Sequence, residues 1–397
     1  KRGAAVAIDP NTGEILAFVS NPSFDPNPFI TGISSREYKA LQQDPDMPLY
    51  NRALQGQYPP GSSIKPIEGL AGIHYGIMGW DSSIYDPGYF SLPGDSHKFR
   101  DWKKSGHGNV NLHKSVVESV DTYYYKLSYQ LGIDRLHDWM TRFNFGSKTG
   151  IDLPGEKTGV YPSTEWKMKT YKKAWLPGET ISVSIGQGYF LATPLQIANG
   201  IAMLAGDGQH LTPHLLKKST GAEHVTPIEK PDGKIQYNGN PNDWQRMHLA
   251  MEDVVKKGTA HNIYTPTYRI AGKTGTAQVK SIAQGKRYNE AALDSRHWDH
   301  GWFVGFAPVE NPQIAIAVIV ENGRHGGWVA PIVRKMMDYW LIDKIKKPIV
   351  PPSPEELAKI NAEKQAAKLQ RAALVLSGKP IIAKPNTAKL PAVGGAD

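Results

Sequence analysis

The segment Pro59-Pro60-Gly61-Ser62-Ser63-Ile64-Lys65-Pro66 places a serine hydroxyl and a lysine amine three positions apart. It leaves a Pro-Pro-Gly turn and continues into apolar residues at helical spacing, so it predicts a buried helix with Ser62 in its first turn. There, free backbone N–H groups and the helix dipole favour developing negative charge. Lys65 shares a face with Ser62 and, when desolvated, is a base for its proton. The segment predicts serine nucleophilic catalysis, with a helix cap beside a solvated lysine as the alternative.

Composition indicates a globular chain, because 40% of its 397 residues are hydrophobic and 21% are charged. The net charge of +9 is concentrated in one place. From Lys344 onward there are ten Lys or Arg residues against four Asp or Glu residues. No nucleic-acid motif accompanies this charge, so nucleic acid is not an expected partner, whereas anionic wall polymer or lipid headgroups remain candidates.

The chain contains no cysteine, which excludes disulfides and thiol catalysis and is compatible with export. No run of 18 apolar residues occurs, so the sequence predicts no membrane-spanning helix. The chain begins at Lys1 in strand-like sequence, and we expect it to be a fragment with a targeting segment and membrane anchor upstream.

Strand-like patterns occur at both ends of the chain, and helical patterns occur between them. Residues 4–8 and 15–19 flank a turn, while residues 270–279, 302–307 and 314–321 predict three neighbouring strands, the last of them central. We therefore expect an α/β fold of the α+β type: a five-stranded antiparallel sheet flanked by helices, with an all-helical lobe. The main predicted helices cover residues 62–73, 112–131, 133–143, 193–203, 244–255 and 327–345.

The composition changes beyond Pro348, where Pro, Ala and Lys become frequent. We expect one domain over residues 1–347, followed by a tail over residues 348–397. The tail is predicted to be largely disordered, with an exposed helix over residues 354–376.

Two further motifs can meet the first in the cleft between the sheet edge and the helices: Ser119-Val120-Asp121 and Lys273-Thr274-Gly275-Thr276. Taken alone, Ser119 is a mid-helix serine and Lys273 an edge-strand charge. A second K-T-G string, Lys148-Thr149-Gly150, lies in a loop without the alternating strand that surrounds Lys273. The three motifs together, in this order, favour a catalytic site over the separate explanations.

Their order and flanking residues resemble the transpeptidase domain of class B penicillin-binding proteins, and within that family the elongation-specific members of Gram-negative bacteria. The resemblance extends from about Gly3 to Ile342. The flanking strings are Tyr58-Pro59-Pro60-Gly61-Ser62, Gly186-Gln187-Gly188, Ala271-Gly272-Lys273-Thr274-Gly275-Thr276-Ala277 and Val304-Gly305-Phe306-Ala307-Pro308.

The resemblance implies that Ser62 attacks the penultimate D-alanine of a D-Ala-D-Ala stem peptide and that β-lactams acylate it. Lys65, kept neutral by desolvation and by the charge of Lys273, takes the Ser62 proton. Ser119 relays that proton to the leaving D-alanine, and Asp121 orients the neighbouring side chains.

The same resemblance assigns the substrate contacts. The backbone N–H groups of Ser62 and Thr276 form the oxyanion hole, and Gly275 lets the substrate backbone approach the strand. Lys273, Thr274 and Thr276 bind the terminal carboxylate. No cofactor is required for this chemistry.

A metal site is a separate expectation, because Asp86, Asp101 and His107 precede Ser119 and the family has an Asp, Asp, His, Cys zinc cluster there. The fourth position falls on Val120, which cannot ligate, so a three-ligand structural zinc site and three solvated loop residues remain alternatives. A further polar cluster is interpreted as part of a polar insertion over residues 280–300: His297, Asp299 and His300.

The expected activity is that of a serine-type D-Ala-D-Ala transpeptidase or carboxypeptidase at the periplasmic face of the inner membrane, crosslinking peptidoglycan during cell elongation. Its expected partners are stem peptides, β-lactams and a membrane-bound glycosyltransferase. The alternatives are a serine β-lactamase, a β-lactam-sensing receptor domain, and a wall scaffold that binds polyanions through the basic tail.

Overall fold

Strands from both ends of the chain pair in one sheet in the computed structural model, which describes residues 1–217, 233–279, 294–344 and 362. The sheet has five strands in the order β2-β1-β9-β8-β7, and each neighbouring pair is antiparallel. Its strands are β1 (Gly3–Ile8), β2 (Ile15–Asn21), β7 (Ala271–Ala277), β8 (His300–Ala307) and β9 (Ile314–Val320). The predicted sheet, with the apolar strand β9 at its centre, is therefore confirmed.

Two short hairpins and a series of helices occupy the middle of the chain. The short strands are β3 (Ser83–Asp86), β4 (Tyr89–Phe90), β5 (Phe99–Arg100) and β6 (Gly108–Asn111). The helices are α1 (Asn27–Thr31), α2 (Ser35–Gln43), α3 (Arg52–Gln55), α4 (Lys65–His74), α5 (Leu112–Val117), α6 (Asp121–Leu131), α7 (Ile133–Thr141), α8 (Thr164–Tyr171), α9 (Pro177–Val183), α10 (Pro194–Ala205), α11 (Asn242–Lys256) and α12 (Gly326–Asp338).

Helices cover both faces of the sheet, which explains why its central strands are apolar at successive positions. A Cβ atom at Gly301 would meet Val329 of α12, so odd-numbered residues of β8 face α12. The Phe306 ring lies 4.8 Å from the His248 ring of α11, so even-numbered residues face the helical lobe. Lys273 pairs with Val304 and therefore also faces the helical lobe.

The prediction of one helix over residues 112–131 is wrong, because the chain breaks between α5 and α6. Ser119 adopts a left-handed conformation with φ 57°, and Val120 is extended. The Asp101 carboxylate accepts hydrogen bonds from the backbone N–H groups of Asp121 and Thr122 at 2.7 and 3.2 Å. A side chain from 20 positions upstream thus caps α6, and the new helix begins at Asp121.

The predicted closing helix over residues 327–345 is shorter than expected, since α12 ends at Asp338 and a π-helical turn follows over Tyr339–Asp343. Residues Lys1–Ile342 form one compact unit. The predicted domain boundary at 347 and the tail over 348–397, with its helix over 354–376, lie outside the described residues except for Ala362. In the described part of the chain, no helix has the length and apolar character needed to cross a membrane.

A buried arginine joins α3 to the end of β9. Arg52 is 0% exposed and donates to the Glu321 carboxylate at 2.7 Å and to the Asp46 carbonyl at 2.7 Å. Glu321 also accepts from the Tyr58 hydroxyl at 2.8 Å and pairs with Arg2 at 2.9 Å. This network ties the N-terminal strand and the segment before Ser62 to the sheet centre.

We expect Arg52→Ala to lower the free energy of unfolding by about 3–5 kcal/mol, because it leaves a partly buried carboxylate with fewer partners. Chemical denaturation with urea measures the change. Arg36→Ala, at an exposed position on α2, is the control and should stay within about 0.5 kcal/mol of wild type. Equal losses in both variants would contradict the structural role of Arg52.

Candidate active site

Ser62 lies in a 3₁₀ turn, Gly61–Ile64, immediately before α4. The predicted helix begins one turn later than expected, but the backbone N–H of Lys65 still donates to the Ser62 carbonyl. Gly61 has φ 58°, and a Cβ atom there would lie 2.4 Å from the Thr276 carbonyl oxygen. Only glycine suits this position, because the conformation is left-handed and β7 lies in close contact.

Lys65, Ser119, Asp121 and Lys273 form one hydrogen-bonded network. The Lys65 Nζ atom lies 2.6 Å from Asp121 Oδ1 and 2.8 Å from the Ser119 carbonyl oxygen. The Ser119 hydroxyl lies between the two amines, 2.7 Å from Lys273 Nζ and 3.5 Å from Lys65 Nζ. Three motifs that are far apart in the sequence thus converge on one hydroxyl.

The electrostatics differ from the expectation in which Lys273 keeps Lys65 neutral. Burial, together with the positive charge of Lys65, lowers the pKa of Lys273 well below the ordinary lysine value, and the charge of Asp121 opposes this only partly. Lys65 lies in direct contact with the Asp121 carboxylate. Two buried amines therefore share one carboxylate, and the deprotonated form is favoured at Lys273.

Glu68 follows Lys65 by one helical turn and is buried. Burial raises the pKa of Glu68 well above its ordinary value, although the charge of Lys65 opposes the change. Burial therefore favours the neutral form of the Glu68 carboxyl. It does not replace Asp121 as the anionic partner of the two lysines.

The strand β7 is the edge of the sheet and presents alternate backbone groups to the cleft. The Thr276 carbonyl oxygen accepts from the Gln187 side chain at 3.1 Å, so it points away from β8. In an antiparallel strand, the N–H and C=O of one residue point to the same edge, so the Thr276 N–H also faces the cleft. That direction is the one an oxyanion-hole donor requires.

Gly275 and Thr274, which precede Thr276 on β7, contact different parts of the site. A Cβ atom at Gly275 would lie 2.9 Å from the Pro60 carbonyl oxygen and 3.1 Å from the Ser63 nitrogen. The Thr274 hydroxyl lies 2.7 Å from the Thr259 hydroxyl. Gly275 therefore allows the strand to approach the Ser62 turn closely.

These residues line a cleft of about 1060 Å³ at the sheet edge. Lys65 and Lys273 lie beneath its floor, since both are 0% exposed. The predicted residues that line the cleft itself are Ser62, Ser119, Asp121, Thr274, Gly275 and Thr276.

Several residues that line the cleft have no role predicted from the sequence. Trp102, Gln187 and Thr259 line the cleft, but each comes from a loop or helix end without a local motif of its own. Gln187 belonged to a flanking string whose residues carried no predicted function. Only the contact with Thr276 reveals its position.

The interpretation of His297, Asp299 and His300 as insertion polarity is wrong for two of the three residues. Asp299 is buried, lines the cleft and accepts from the Val279 N–H at 3.1 Å. His300 begins β8, and its Nδ1 accepts from the Asn322 N–H at 3.0 Å. Both side chains accept hydrogen bonds from backbone N–H groups near the ends of the strands, so they belong to the sheet rather than to a solvated loop.

Asp86, Asp101 and His107 are buried together, and one ligand atom from each lies within 4.8 Å of the others. His107 Nδ1 is 2.7 Å from Asp86 Oδ2, while its Nε2 is buried without a hydrogen-bond partner among the described residues. Burial and the charge of Asp121 raise the pKa of Asp101. A cation would relieve that unfavourable charge, so three donors fit a metal, but Val120 offers no ligand.

Two comparisons define the relatives of this chain. Residues 3–338 match the family model described as "Penicillin binding protein transpeptidase domain". The chain is 61% identical over 351 residues to peptidoglycan D,D-transpeptidase MrdA of Acinetobacter baumannii, covering 88% of this chain and 52% of that protein. It is 43% identical over 348 residues to MrdA of Escherichia coli K12, covering 86% of this chain and 54% of that protein. The chain thus spans about half the length of the curated relatives it matches.

Solved structures agree with these relatives. Pseudomonas aeruginosa PBP2 in complex with WCK 5153 gives a TM-score of 0.79 at 47% identity, covering 87% of this chain and 72% of that chain. PBP2 from Helicobacter pylori in its complex with MreC gives a TM-score of 0.76 at 36% identity, covering 86% and 61%. The resemblance predicted from the three motifs is confirmed, and the chain belongs to the penicillin-binding protein transpeptidase domain family.

Proposed function

We propose that this chain is a serine D,D-transpeptidase domain that crosslinks peptidoglycan stem peptides during cell elongation. The observation that carries the proposal is the convergence of Ser62, Ser119 and Thr276 on one cleft above the two buried lysines. Nucleophile, proton carriers and oxyanion donor are the groups that acyl transfer needs in one place.

The network provides a route to a neutral base. A proton that leaves Lys65 can pass through the Ser119 hydroxyl to Lys273, over the separations of 3.5 and 2.7 Å. This transfer leaves Lys65 neutral and Lys273 charged, which is the arrangement needed for Lys65 to accept the Ser62 proton. Burial, which lowers the pKa of Lys273, favours the neutral amine that this route needs as its proton acceptor.

The remaining steps follow from the same residues. Ser62 Oγ bonds to the carbonyl carbon of the penultimate D-alanine, and the Ser62 and Thr276 N–H groups stabilise the oxyanion, each worth about 3 kcal/mol. Ser119 returns a proton to the nitrogen of the departing D-alanine. An amine from a second stem peptide then attacks the acyl-enzyme, releases Ser62 and forms the crosslink.

The β-lactamase alternative requires a base that activates deacylating water. Among the described residues that line the cleft, the carboxylates are Asp121 and Asp299. Asp121 is paired with Lys65, and Asp299 accepts from the Val279 N–H. Slow release of a bound penicillin, rather than rapid turnover, is the behaviour that this arrangement supports.

The receptor alternative lacks a catalytic second step, so crosslinked product would exclude it.

We propose that the domain works at the periplasmic face of the inner membrane, where stem peptides are found, and that a membrane-bound glycosyltransferase supplies the glycan. Two related structures support the assembly by analogy. One is the H. pylori PBP2 complex with MreC, and the other is described as a peptidoglycan synthase complex that coordinates polymerization and crosslinking.

We also propose a structural zinc site held by Asp86, Asp101 and His107. The Asp86 and Asp101 carboxylates lie 2.7 and 3.5 Å from His107 Nδ1, so the three donors converge on that side of the imidazole ring. A metal there would rigidify the loop whose Asp101 caps α6 and so hold Ser119 in place. The transpeptidation chemistry itself does not use it.

Incubation with benzylpenicillin should add one penicillin mass to the wild-type chain, measured by intact mass spectrometry. Ser62→Ala should give no adduct, because the nucleophile is lost. Ser63→Ala is the matched control, since that hydroxyl only donates to the Pro60 carbonyl oxygen, and it should still be acylated. An adduct on Ser62→Ala would disprove the assigned nucleophile.

The acylation rate should fall as the pH is lowered through the depressed pKa of Lys273, because a Lys273 that is already protonated cannot accept the proton that leaves Lys65. Lys273→Arg keeps a fixed charge and should slow acylation roughly 10²–10⁴-fold at every pH. Stopped-flow measurements with a fluorescent penicillin test both. A Lys273→Arg variant with the wild-type pH profile, and an unchanged melting temperature, would contradict the proton route.

Metal analysis of the purified chain should find about one zinc ion per molecule. His107→Ala should abolish binding, because it removes the side chain on which the two carboxylates converge. Removal of zinc with a chelator should lower the melting temperature of the wild-type chain but not of His107→Ala. Metal-free protein of unchanged stability would exclude the zinc site.

A further inference from the structure

Four aromatic side chains form a surface cluster around Tyr189, beside the active cleft. The Tyr189 ring centroid lies 5.3 Å from Trp166, 5.5 Å from Tyr171 and 6.1 Å from Trp175. None of the four is fully buried, and Tyr171 is 48% exposed. Nearby, Met168 is 50% and Leu176 60% exposed. Aromatic surface that remains open to solvent in this way is typical of an interaction site.

The cluster rests on a partly buried ion pair and is therefore preformed. Lys167 Nζ lies 2.5 Å from the Glu179 carboxylate. The same ammonium group lies 5.6 Å from the Trp175 centroid and 6.0 Å from the Tyr189 centroid. These contacts fix the rings from below and leave their outer surfaces available, so binding would require little further ordering.

Three exposed lysines lie in the last turn of α8 or directly after it: Lys169, Lys172 and Lys173. Within residues 164–176, Glu165 is the acidic residue, and Glu179 is committed to Lys167. Among the described residues, no carboxylate forms an ion pair with these three lysines, so positive charge borders the aromatic cluster. A ligand that suits this surface combines ring-like apolar faces with negative groups.

A short stretch of chain links the aromatic cluster to the cleft. Ile185 and Gln187 line the cleft, and Gln187 donates to the Thr276 carbonyl oxygen at 3.1 Å. Tyr189, at the centre of the cluster, follows Gln187 by two positions. A polymer whose peptide enters the cleft would have its next units close to the aromatic cluster.

We infer that this surface, defined by Trp166, Lys169, Tyr171, Lys172, Lys173, Trp175 and Tyr189, binds an anionic glycan strand whose stem peptides carry carboxylates. Sugar rings stack on aromatic side chains, and the lysines match the carboxylates by charge. A lipid surface fits less well, because α8 has almost no amphipathic character to insert. The inference rests on the proposed function and extends it from the peptide to the glycan.

The test compares two triple variants of the intact chain. Lys169→Gln, Lys172→Gln and Lys173→Gln are combined in one protein, and Lys39→Gln, Lys148→Gln and Lys335→Gln, all exposed, are combined in the control. Fluorescence anisotropy measures binding to soluble, uncrosslinked peptidoglycan strands at two salt concentrations. We expect the first variant to bind roughly tenfold more weakly and with a flatter salt dependence, and the control to stay within about twofold of wild type.

Tyr171 tests the aromatic part separately. Tyr171→Ser should weaken strand binding roughly three- to tenfold, whereas Tyr171→Phe should retain it, because stacking needs the ring and not the hydroxyl. Thermal unfolding checks that each variant is folded. Equal binding by wild type and both lysine variants would overturn the inference, as would preferential binding to anionic lipid vesicles over strands.

Acylation of the wild-type chain by labelled penicillin is measured in parallel. Failure of that acylation counts against the proposed function, whereas normal acylation with unselective strand binding counts against this surface alone.

Discussion

Two buried lysines compete for one carboxylate, and the rest of the site is arranged around that constraint. Lys65 and Lys273 are both fully buried, and both approach the Ser119 hydroxyl, but Asp121 is the anion they share. Burying two ammonium groups beside a single negative charge is costly, so one amine is favoured in the neutral form. The Ser119 hydroxyl lies between the two amines and can carry a proton from one to the other.

The same constraint explains the irregular backbone around Ser119. The left-handed conformation of Ser119 directs its carbonyl oxygen to Lys65 and its hydroxyl to Lys273. Asp101 stabilises the break by capping α6, and Asp101 is also a member of the buried group with Asp86 and His107. The candidate metal cluster and the proton network are therefore parts of one assembly, and disturbance of the first should reach the second through a single carboxylate.

The position of β7 at the sheet edge contributes the other half of the site. An unpaired edge is normally a liability for aggregation. Here the edge faces the cleft, where Gln187 accompanies Thr276 and the Thr274 hydroxyl contacts Thr259. Its open backbone groups suit an extended peptide that adds to the sheet. The aromatic and lysine residues beyond Gln187 extend this recognition surface away from the reacting atoms.

The sequence by itself determined the sheet and the three motifs. Alternating or apolar runs such as 314–321 and the turn formers between 8 and 15 are local signals, and they correctly predicted a sheet made from both chain ends. The order of the motifs likewise predicted that Ser62, Ser119 and Lys273 belong to one site, and the structure places Ser62 and Ser119 in one cleft with Lys273 bonded to Ser119. Only the tertiary structure decided the break before Asp121, because the capping carboxylate comes from Asp101 in another element. It also decided that burial lowers the pKa of Lys273, and it brought Gln187 and Thr259 to the cleft, since desolvation and contacts between distant segments leave no periodic pattern in the chain.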